Sequence, residues 1–291
     1  MKRDPHPTPA DAQVDSPRLK VRTVFISDLH LGTPGCQSGF LLDFLAKVRC
    51  RHLYLVGDII DLEALQQRPY WPPAHSEVLA RLVELARGPT RVTWIPGNHD
   101  SPLRGLAGSA IAGIEVRLDA LHRTADGRLL RVAHGDEFDP AGIGRTWLLR
   151  LGDRAYQSLA WVARTLNRMR RRLGRPWLPL SVMAKSRIGQ ALAYIARYES
   201  LVLERARRDG LDGHVCGHIH YGAARSERGL LYLNDGDWVE HCTALVEHHD
   251  GTLELLHCGD RRTSLARIPP RTRTAADGRP GWAVAGGAGA A

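Results

Sequence analysis

The stretch VTWIPGNHD, residues 92–100, sets an apolar run, Val92-Thr93-Trp94-Ile95, directly against a Pro-Gly turn and then an amide, an imidazole and a carboxylate. A short apolar run closed by Pro and Gly has the form of a buried strand. Polar side chains crowded at its end belong where α/β sheets place their sites. The same form recurs along the chain. Val24-Phe25-Ile26 runs into Ser27-Asp28-Leu29-His30, Tyr54-Leu55-Val56 into Gly57-Asp58-Ile59-Ile60-Asp61, Val132-Ala133 into His134-Gly135-Asp136, and Val215-Cys216 into Gly217-His218-Ile219-His220.

One Asp after a strand is ordinarily an Asx turn or a helix cap, and one His is ordinarily a satisfied polar residue. His52, His75, His122, His241, His248 and His249 take that plain reading. The strand ends do not, because independent caps have no reason all to choose ligand-type side chains. Asp, His and Asn without Cys suit Mn²⁺, Fe or Zn better than Ca²⁺ or Mg²⁺, and a pair of such ions clamps both oxygens of an in-line displacement at phosphorus. Asn98 would then serve as a neutral ligand that adds no further negative charge.

Apolar runs at Val21 to Ser27, Leu53 to Val56, Val92 to Ile95, Leu129 to Ala133, His214 to Cys216, Leu230 to Leu233 and Thr243 to Val246 alternate with helical patterns. The alternation predicts a layered α/β (α+β) architecture. Two helical stretches interrupt it. The first carries Leu148, Leu151, Ala155, Leu159, Val162, Leu166, Met169 and Leu173 on one stripe, and the second, about 183 to 208, carries Ile188, Leu192, Ile195, Tyr198, Val202 and Ala206. They predict a helical insertion at about 143–209 whose helices pack largely on each other. It sits within a domain spanning 20–267 and flanked by Pro-, Gly- and Ala-rich flexible tails, 1–19 and 268–291.

The chain has 291 residues, 43% of them hydrophobic, and a net charge of +9. Five scattered cysteines without a CxxC pair argue against a disulfide framework or a thiolate zinc site. No stretch approaches the ~18 consecutive apolar residues of a membrane span, and the N-terminal stretch lacks the apolar core of a secretory signal. A cytoplasmic protein is expected, able to lie on the cytoplasmic face of a membrane. The charge is concentrated between Arg145 and Arg175, where nine arginines face one acid, Asp153. On a helical wheel Arg150, Arg154, Arg164, Arg168 and Arg171 lie opposite the apolar stripe, with Trp147 and Trp161 beside them. That is a composition suited to an anionic membrane surface or to the rim of an acyl-chain pocket. A solvated basic helix is the plainer alternative.

The order D-x-H, GD-x-x-D, GNHD, HGD and GH-x-H resembles the calcineurin-like metallophosphoesterase superfamily over residues 21 to 247. The resemblance implies a β-sandwich flanked by helices, with two metals at the C-terminal ends of the strands. Asp28, His30, Asp58 and His220 would hold one ion and Asp58, Asn98, His134 and His218 the other, with Asp58 bridging. His99 would lie outside the metal shell, stabilising charge or protonating the leaving oxygen after hydroxide attack on phosphorus, and Asp100 would orient its ring. A narrower resemblance is carried by SDLHLGTPG (27–35), LVGDIID (55–61), IPGNHD (95–100), HGDEFD (134–139), VCGHIH (215–220) and NDGDWVE (234–240). These are similar to the UDP-2,3-diacylglucosamine diphosphatases of lipid A assembly, which release UMP and 2,3-diacylglucosamine 1-phosphate. His99 places the chain in the GNHD-bearing branch rather than with the members that carry GNRD. Asn234, Asp235 and Asp237 fit equally a β-turn or partners of the GHIH loop. The competing enzymatic reading is a metal-dependent phosphodiesterase or phosphatase acting on a soluble nucleotide or another phosphoester. A nucleic-acid substrate is disfavoured, since aromatic residues make up only 6% of the chain and supply no clear stacking platform.

Overall fold

Strands apolar on both faces must be covered on both sides, and that requirement builds the molecule. The computed structural model describes residues 18–139 and 180–272, except for the side chains of 180–191. In chain order come β1 (Leu19–Lys20), β2 (Thr23–Ile26), α1 (Ser38–Lys47), β3 (Val48–Arg49), β4 (His52–Leu55), α2 (Leu62–Gln67), α3 (Pro73–Arg87) and β5 (Arg91–Trp94). After a 3-10 turn at Ser101–Leu106 follow β6 (Ala110–Ile111), β7 (Ile114–Val116), β8 (Ala120–Arg123), β9 (Leu129–Val132) and a second such turn, Asp136–Phe138. The described chain resumes with α4 (Leu180–Arg208), β10 (Gly213–Cys216), β11 (Ala223–Glu227), β12 (Leu230–Asn234), β13 (Thr243–Glu247), β14 (Leu253–Cys258) and β15 (Arg262–Ile268).

An 8-stranded sheet has the order β15-β14-β13-β2-β4-β5-β7-β6, and a 5-stranded sheet has the order β11-β12-β10-β9-β8. Their facing surfaces close on Phe25, Tyr54, Leu130, Val132, Val215, Leu233 and Leu245. Because side chains alternate along a strand, the neighbours Val24, Ile26, Leu53, Leu55, Ala244 and Val246 emerge on the other face of the large sheet, with the helix residues Leu41, Phe44, Leu45, Val78 and Leu82. Leu41, Phe44 and Leu45 lie on one face of α1 at helical spacing, and α3 opens on a proline at its first turn and ends against Gly88. The architecture is the helix-flanked β-sandwich expected from sequence, and each of the strand runs read there is present within a residue or two.

The second helical stretch is α4, but its stripe meets a different partner from the one expected. Ile195, Tyr198 and Val202 are buried with Cys216 and Tyr232 of the small sheet, so α4 packs on that sheet. Leu192, placed on the buried stripe by periodicity, is 61% exposed. The first helical stretch, with Trp147, Arg150, Arg154, Trp161, Arg168 and Arg171, lies outside the described residues, as do most of both tails. Among the described residues no helix is long and apolar enough to cross a membrane.

Candidate metal centre

β2, β4 and β5 run parallel, as do β9, β10 and β12, so their C-terminal ends share one rim of the sandwich. Three ligand-type loops come from the large sheet and two from the small one. At five of the residues singled out from sequence the backbone turns into the left-handed region: Asp28 (φ 52), His30 (φ 48), Asp58 (φ 54), His218 (φ 68) and His220 (φ 53). A non-glycine residue there costs about 1–3 kcal/mol, and the cost is borne where it aims side chains inward. Close approach also explains two glycines. A Cβ on Gly97 would stand 2.2 Å from Asp58 Oδ1, and one on Gly217 2.2 Å from Ser27 Oγ and 2.4 Å from Asp28 Oδ2.

The loops bring Asp28, His30 and His220 together as one group of donors and Asp58, His134 and His218 as a second, with donor atoms within 4.8 Å of one another in each. His220 Nε2 is 3.1 Å and His30 Nε2 3.7 Å from Asp28 Oδ1. The Asp58 carboxylate lies between the groups, 3.3 Å from His134 Nε2 and 4.0 Å from His30 Nε2. Asn98 follows on the same loop and is exposed.

Each imidazole is held from behind. The Nδ1 atoms of His30, His134 and His220 meet Asp61 Oδ2 at 3.0 Å, the Val56 carbonyl at 2.7 Å and Asp237 Oδ2 at 3.3 Å. That pattern protonates Nδ1 and turns the Nε2 lone pair into the cluster. His218 is held the other way round, Nε2 against Asp139 Oδ2 at 3.3 Å, which leaves Nδ1. The fit to divalent ions is tested by the atoms facing inward: Asp28 Oδ1 and His134 Nε2 are buried and make no aligned hydrogen bond, only the ion-pair contacts to His220 and Asp58 given above, an arrangement that protein interiors otherwise avoid. Oxygen and imidazole donors with oriented tautomers and orphaned inner atoms suit such ions. Asp28, His30, Asp58, His134, His218 and His220 would hold them.

The electrostatics follow the same plan. Burial disfavours the Asp28 carboxylate, but His220 and His30 overcome it and hold the group well below the usual range. Burial works likewise against Asp58, and His134 brings it down to about 2. Against their own burial, the carboxylates raise His30 to about 9 and His220 to about 10.

His99 is 30% exposed at its side chain, and its Nδ1 lies 3.1 Å from Asp61 Oδ1. A nitrogen of its ring also comes within 4.8 Å of donor atoms of His30 and Asp58. The partner of His99 is therefore Asp61, not Asp100. Asp100 is fully buried and faces the opposite way, accepting from Gly97 N at 2.5 Å, Ile59 N and Trp94 Nε1 at 3.0 Å, and Asp58 N at 3.3 Å. It staples the GD loop to the PGNHD loop, and backbone amides consume the acceptor capacity that the adjacent imidazole would need.

Asp61 and Asp139 were not assigned from sequence, and Asp237 was left open there between a β-turn and a partner of the GHIH loop. Asp61 had one available signal, its place in GD-x-x-D. It caps α2 by accepting from Ala64 N at 2.8 Å while holding two histidines. The NDGD segment partners the GHIH loop: Asn234 Nδ2 donates to the Gly217 carbonyl at 2.7 Å, Ser27 Oγ lies 2.6 Å from Asp235 Oδ1, and Asp237 holds both His220 and, at 3.0 Å, His241.

Residues 21–222 match the family model described as calcineurin-like phosphoesterase. A protein of Porphyromonas gingivalis named UDP-2,3-diacylglucosamine hydrolase is 27% identical over 268 residues, covering 82% of this chain and 97% of its own. A protein of the same name from Ralstonia nicotianae is 33% identical over 129 residues, covering 41% of this chain and 45% of its own. Among solved structures, a phosphoesterase from E. coli superposes with a TM-score of 0.46 at 17% identity, covering 86% of this chain and 99% of that one.

Proposed function

Since the chain belongs to the calcineurin-like phosphoesterase family and is a metal-dependent hydrolase, we propose that its substrate is UDP-2,3-diacylglucosamine. Cleavage at the α-phosphorus gives UMP and 2,3-diacylglucosamine 1-phosphate, a step of lipid A biosynthesis. The observation that carries the reading is the pair of donor groups meeting at Asp58, combined with the narrower motif resemblance and the naming of the relatives above. When bound, two divalent ions, Mn²⁺ in this reading, supply Lewis-acid stabilisation of charge on the phosphoryl oxygens.

The chain's own residues hold the remaining proton. Asp61 accepts from His99 Nδ1 and leaves Nε2 as the donor. Burial opposes protonation of His99, but Asp61 and Asp58 outweigh it and raise its pKa above the ordinary imidazole value. A protonated imidazole at the edge of a phosphoryl site serves as general acid toward the leaving oxygen. Asp61 also fixes His30, so one carboxylate sets the geometry of a metal-binding residue and of the acid.

The test is mass spectrometry of the products after the Mn²⁺-loaded protein is incubated with UDP-2,3-diacylglucosamine, with Asp58→Ala as the blank. UMP and the lipid 1-phosphate, absent from the blank, are expected. No turnover of the lipid, with metal-dependent hydrolysis of an aryl phosphodiester intact, discards the lipid substrate in favour of a soluble phosphoester. We also propose that the arginine-rich stretch 145–177 contacts the anionic cytoplasmic face of the membrane. Sedimentation with anionic liposomes checks this, and equal binding by an Arg168/Arg170/Arg171/Arg172→Ala variant rejects it.

A further inference from the structure

Ser27 and Asp235 meet across the rim of the sandwich. Ser27 directly follows β2 of the large sheet, Asp235 directly follows β12 of the small sheet, and both are buried. The hydrolytic reading above leaves Asp235 without a part to play.

Three oxygens surround the Ser27 hydroxyl: Asp28 Oδ2 at 2.5 Å, Asp235 Oδ1 at 2.6 Å and the Gly236 carbonyl at 3.2 Å. A hydroxyl has a single hydrogen to give, and an ionised carboxylate has none. Two oxygens about 2.5–2.7 Å apart are held there by a hydrogen between them. Ser27 closes one of the two short contacts, so the other needs a hydrogen from a carboxyl group.

The surroundings decide which carboxyl carries it. Asp28 Oδ1 faces the donor cluster, 3.1 Å from His220 Nε2 and 3.7 Å from His30 Nε2, and imidazoles so placed favour the ionised form. Asp28 Oδ2 accepts from His218 N at 2.9 Å as well as from Ser27 Oγ. Asp235 is placed differently. Its Oδ2 is buried with no hydrogen-bond partner, which costs a neutral carboxyl far less than an ionised one. Burial also raises its pKa well above the usual carboxylate range. The hydrogen bonds therefore run from the Asp235 carboxyl to Ser27 Oγ, and from Ser27 Oγ to Asp28 Oδ2.

We propose that Asp235 is a neutral carboxylic acid and a positioning residue for Asp28, acting through Ser27. With Oδ2 taken by Ser27 Oγ and His218 N, Asp28 presents Oδ1 alone to the divalent ions. As a neutral group Asp235 adds no charge to the cluster, so its contribution lies in the hydrogen bond. Because the two partners belong to different sheets, the bond also fixes the GHIH side of the cluster against the D-x-H side. The inference rests on the divalent-metal part of the reading above and on none of its substrate assignment.

The test compares Asp235→Asn, which keeps a neutral donor in place, with Asp235→Leu, which fills a similar volume without one, and with Ser27→Ala. Mn²⁺ binding to each full-length chain is measured by isothermal titration calorimetry, with circular dichroism as the check on folding. Asp235→Asn is expected to bind within about threefold of the parent, and Asp235→Leu and Ser27→Ala about 10–100-fold more weakly, as on loss of an outer partner of a metal ligand. Infrared difference spectra in excess Mn²⁺, parent minus Asp235→Asn at about pH 7, are expected to show the carbonyl stretch of a protonated carboxyl, which ionised side chains lack. Absence of that band overturns the neutral acid. So does a loss of about tenfold or more in Asp235→Asn, since a charge would then have been needed. Parent-like binding by Ser27→Ala and by folded Asp235→Leu overturns the positioning role. Should Asp235→Leu fail to fold, Ser27→Ala, Asp235→Asn and the infrared band still decide. A parent that binds no Mn²⁺ overturns the metal reading and the positioning role together, whereas a missing band with normal binding overturns the neutral acid alone.

Discussion

Replacing His214 with leucine removes a buried base that titrates only when the protein unfolds. His214 lies on β10 with no exposed surface, packs edge-on against Phe138 at 5.5 Å, and has no hydrogen-bond partner at either ring nitrogen. Burial, reinforced by the charges of Arg131 and Arg205, lowers its pKa to about 3, against about 6.5 in an unfolded chain. The unfolded state therefore binds more protons between those values. The stability associated with neutral His214 is complete above about pH 6.5, falls as the pH drops below it, and levels off near pH 3. At pH 5 the gap is about one and a half pH units, which at 1.36 kcal/mol each amounts to about 2 kcal/mol.

His214→Leu has no such titration and fills a similar volume. Urea unfolding followed by circular dichroism in EDTA, at pH 7 and pH 5, isolates the contribution. Between these conditions the parent is expected to lose about 2 kcal/mol relative to the variant, roughly 1 M in midpoint. At pH 7 the variant is expected to be no less stable, because an unsatisfied buried polar group costs about 1–3 kcal/mol. A difference between the two proteins that stays constant within about 0.5 kcal/mol from pH 7 to pH 5 refutes the reasoning.

Asp61→Asn is expected to lower metal affinity and kcat/KM by about 10–100-fold, as loss of an outer partner of metal-binding histidines does. It should also move the alkaline limb of the pH–rate profile to lower pH, because Asp61 raises the pKa of the general acid His99, whereas Asp100→Asn should lower thermal stability without moving that limb. Because the carboxylates raise His30 to about 9 and His220 to about 10, divalent metal must displace protons near pH 7. Calorimetry in buffers of different ionisation enthalpy should register their release, and affinity should weaken as pH falls. Gly97→Ala is expected to abolish activity with little change in far-UV circular dichroism, since the added carbon would stand 2.2 Å from Asp58 Oδ1. Glu247 is fully buried and accepts from Arg22 Nη1 at 2.6 Å, Thr23 Oγ1 at 2.7 Å, His122 Nε2 at 2.9 Å and Ala125 N at 2.7 Å. It ties β2 and β13 of one sheet to β8 of the other. Glu247→Ala is expected to cost about 1–3 kcal/mol in chemical denaturation, because it leaves the half-buried Arg22 guanidinium and the buried Thr23 and His122 side chains without their acceptor.

The strands that carry the site were legible because a doubly buried strand writes itself as a continuous apolar run, and the donors because each interrupts such a run at its end. Asp28, His30, Asp58, His134, His218 and His220 stand among those interruptions, and the family resemblance singled them out from neighbours such as Asp61 and Asp100. The short strands β1, β3 and β6 carry too few residues for a pattern, and β11 and β15 are too exposed for one. Periodicity placed Leu192 on a buried stripe because it registers which face of a helix is apolar, not how far along the helix the partner sheet extends. What the sequence determined by itself is local: which residues end strands, which side chains can donate to a cation, and where glycine lets the backbone turn. Which carboxylate meets which imidazole was decided by tertiary structure. Asp61 reaches His99 and His30, and Asp100 does not, because Asp61 caps α2 just after β4 while the turn after β5 points Asp100 back into backbone amides. Asp139 and Asp237 reach His218 and His220 only once β9, β10 and β12 are in register. Such pairings span tens to hundreds of residues, and hydrogen bonds only a few ångströms long form between them only after two sheets have packed face to face.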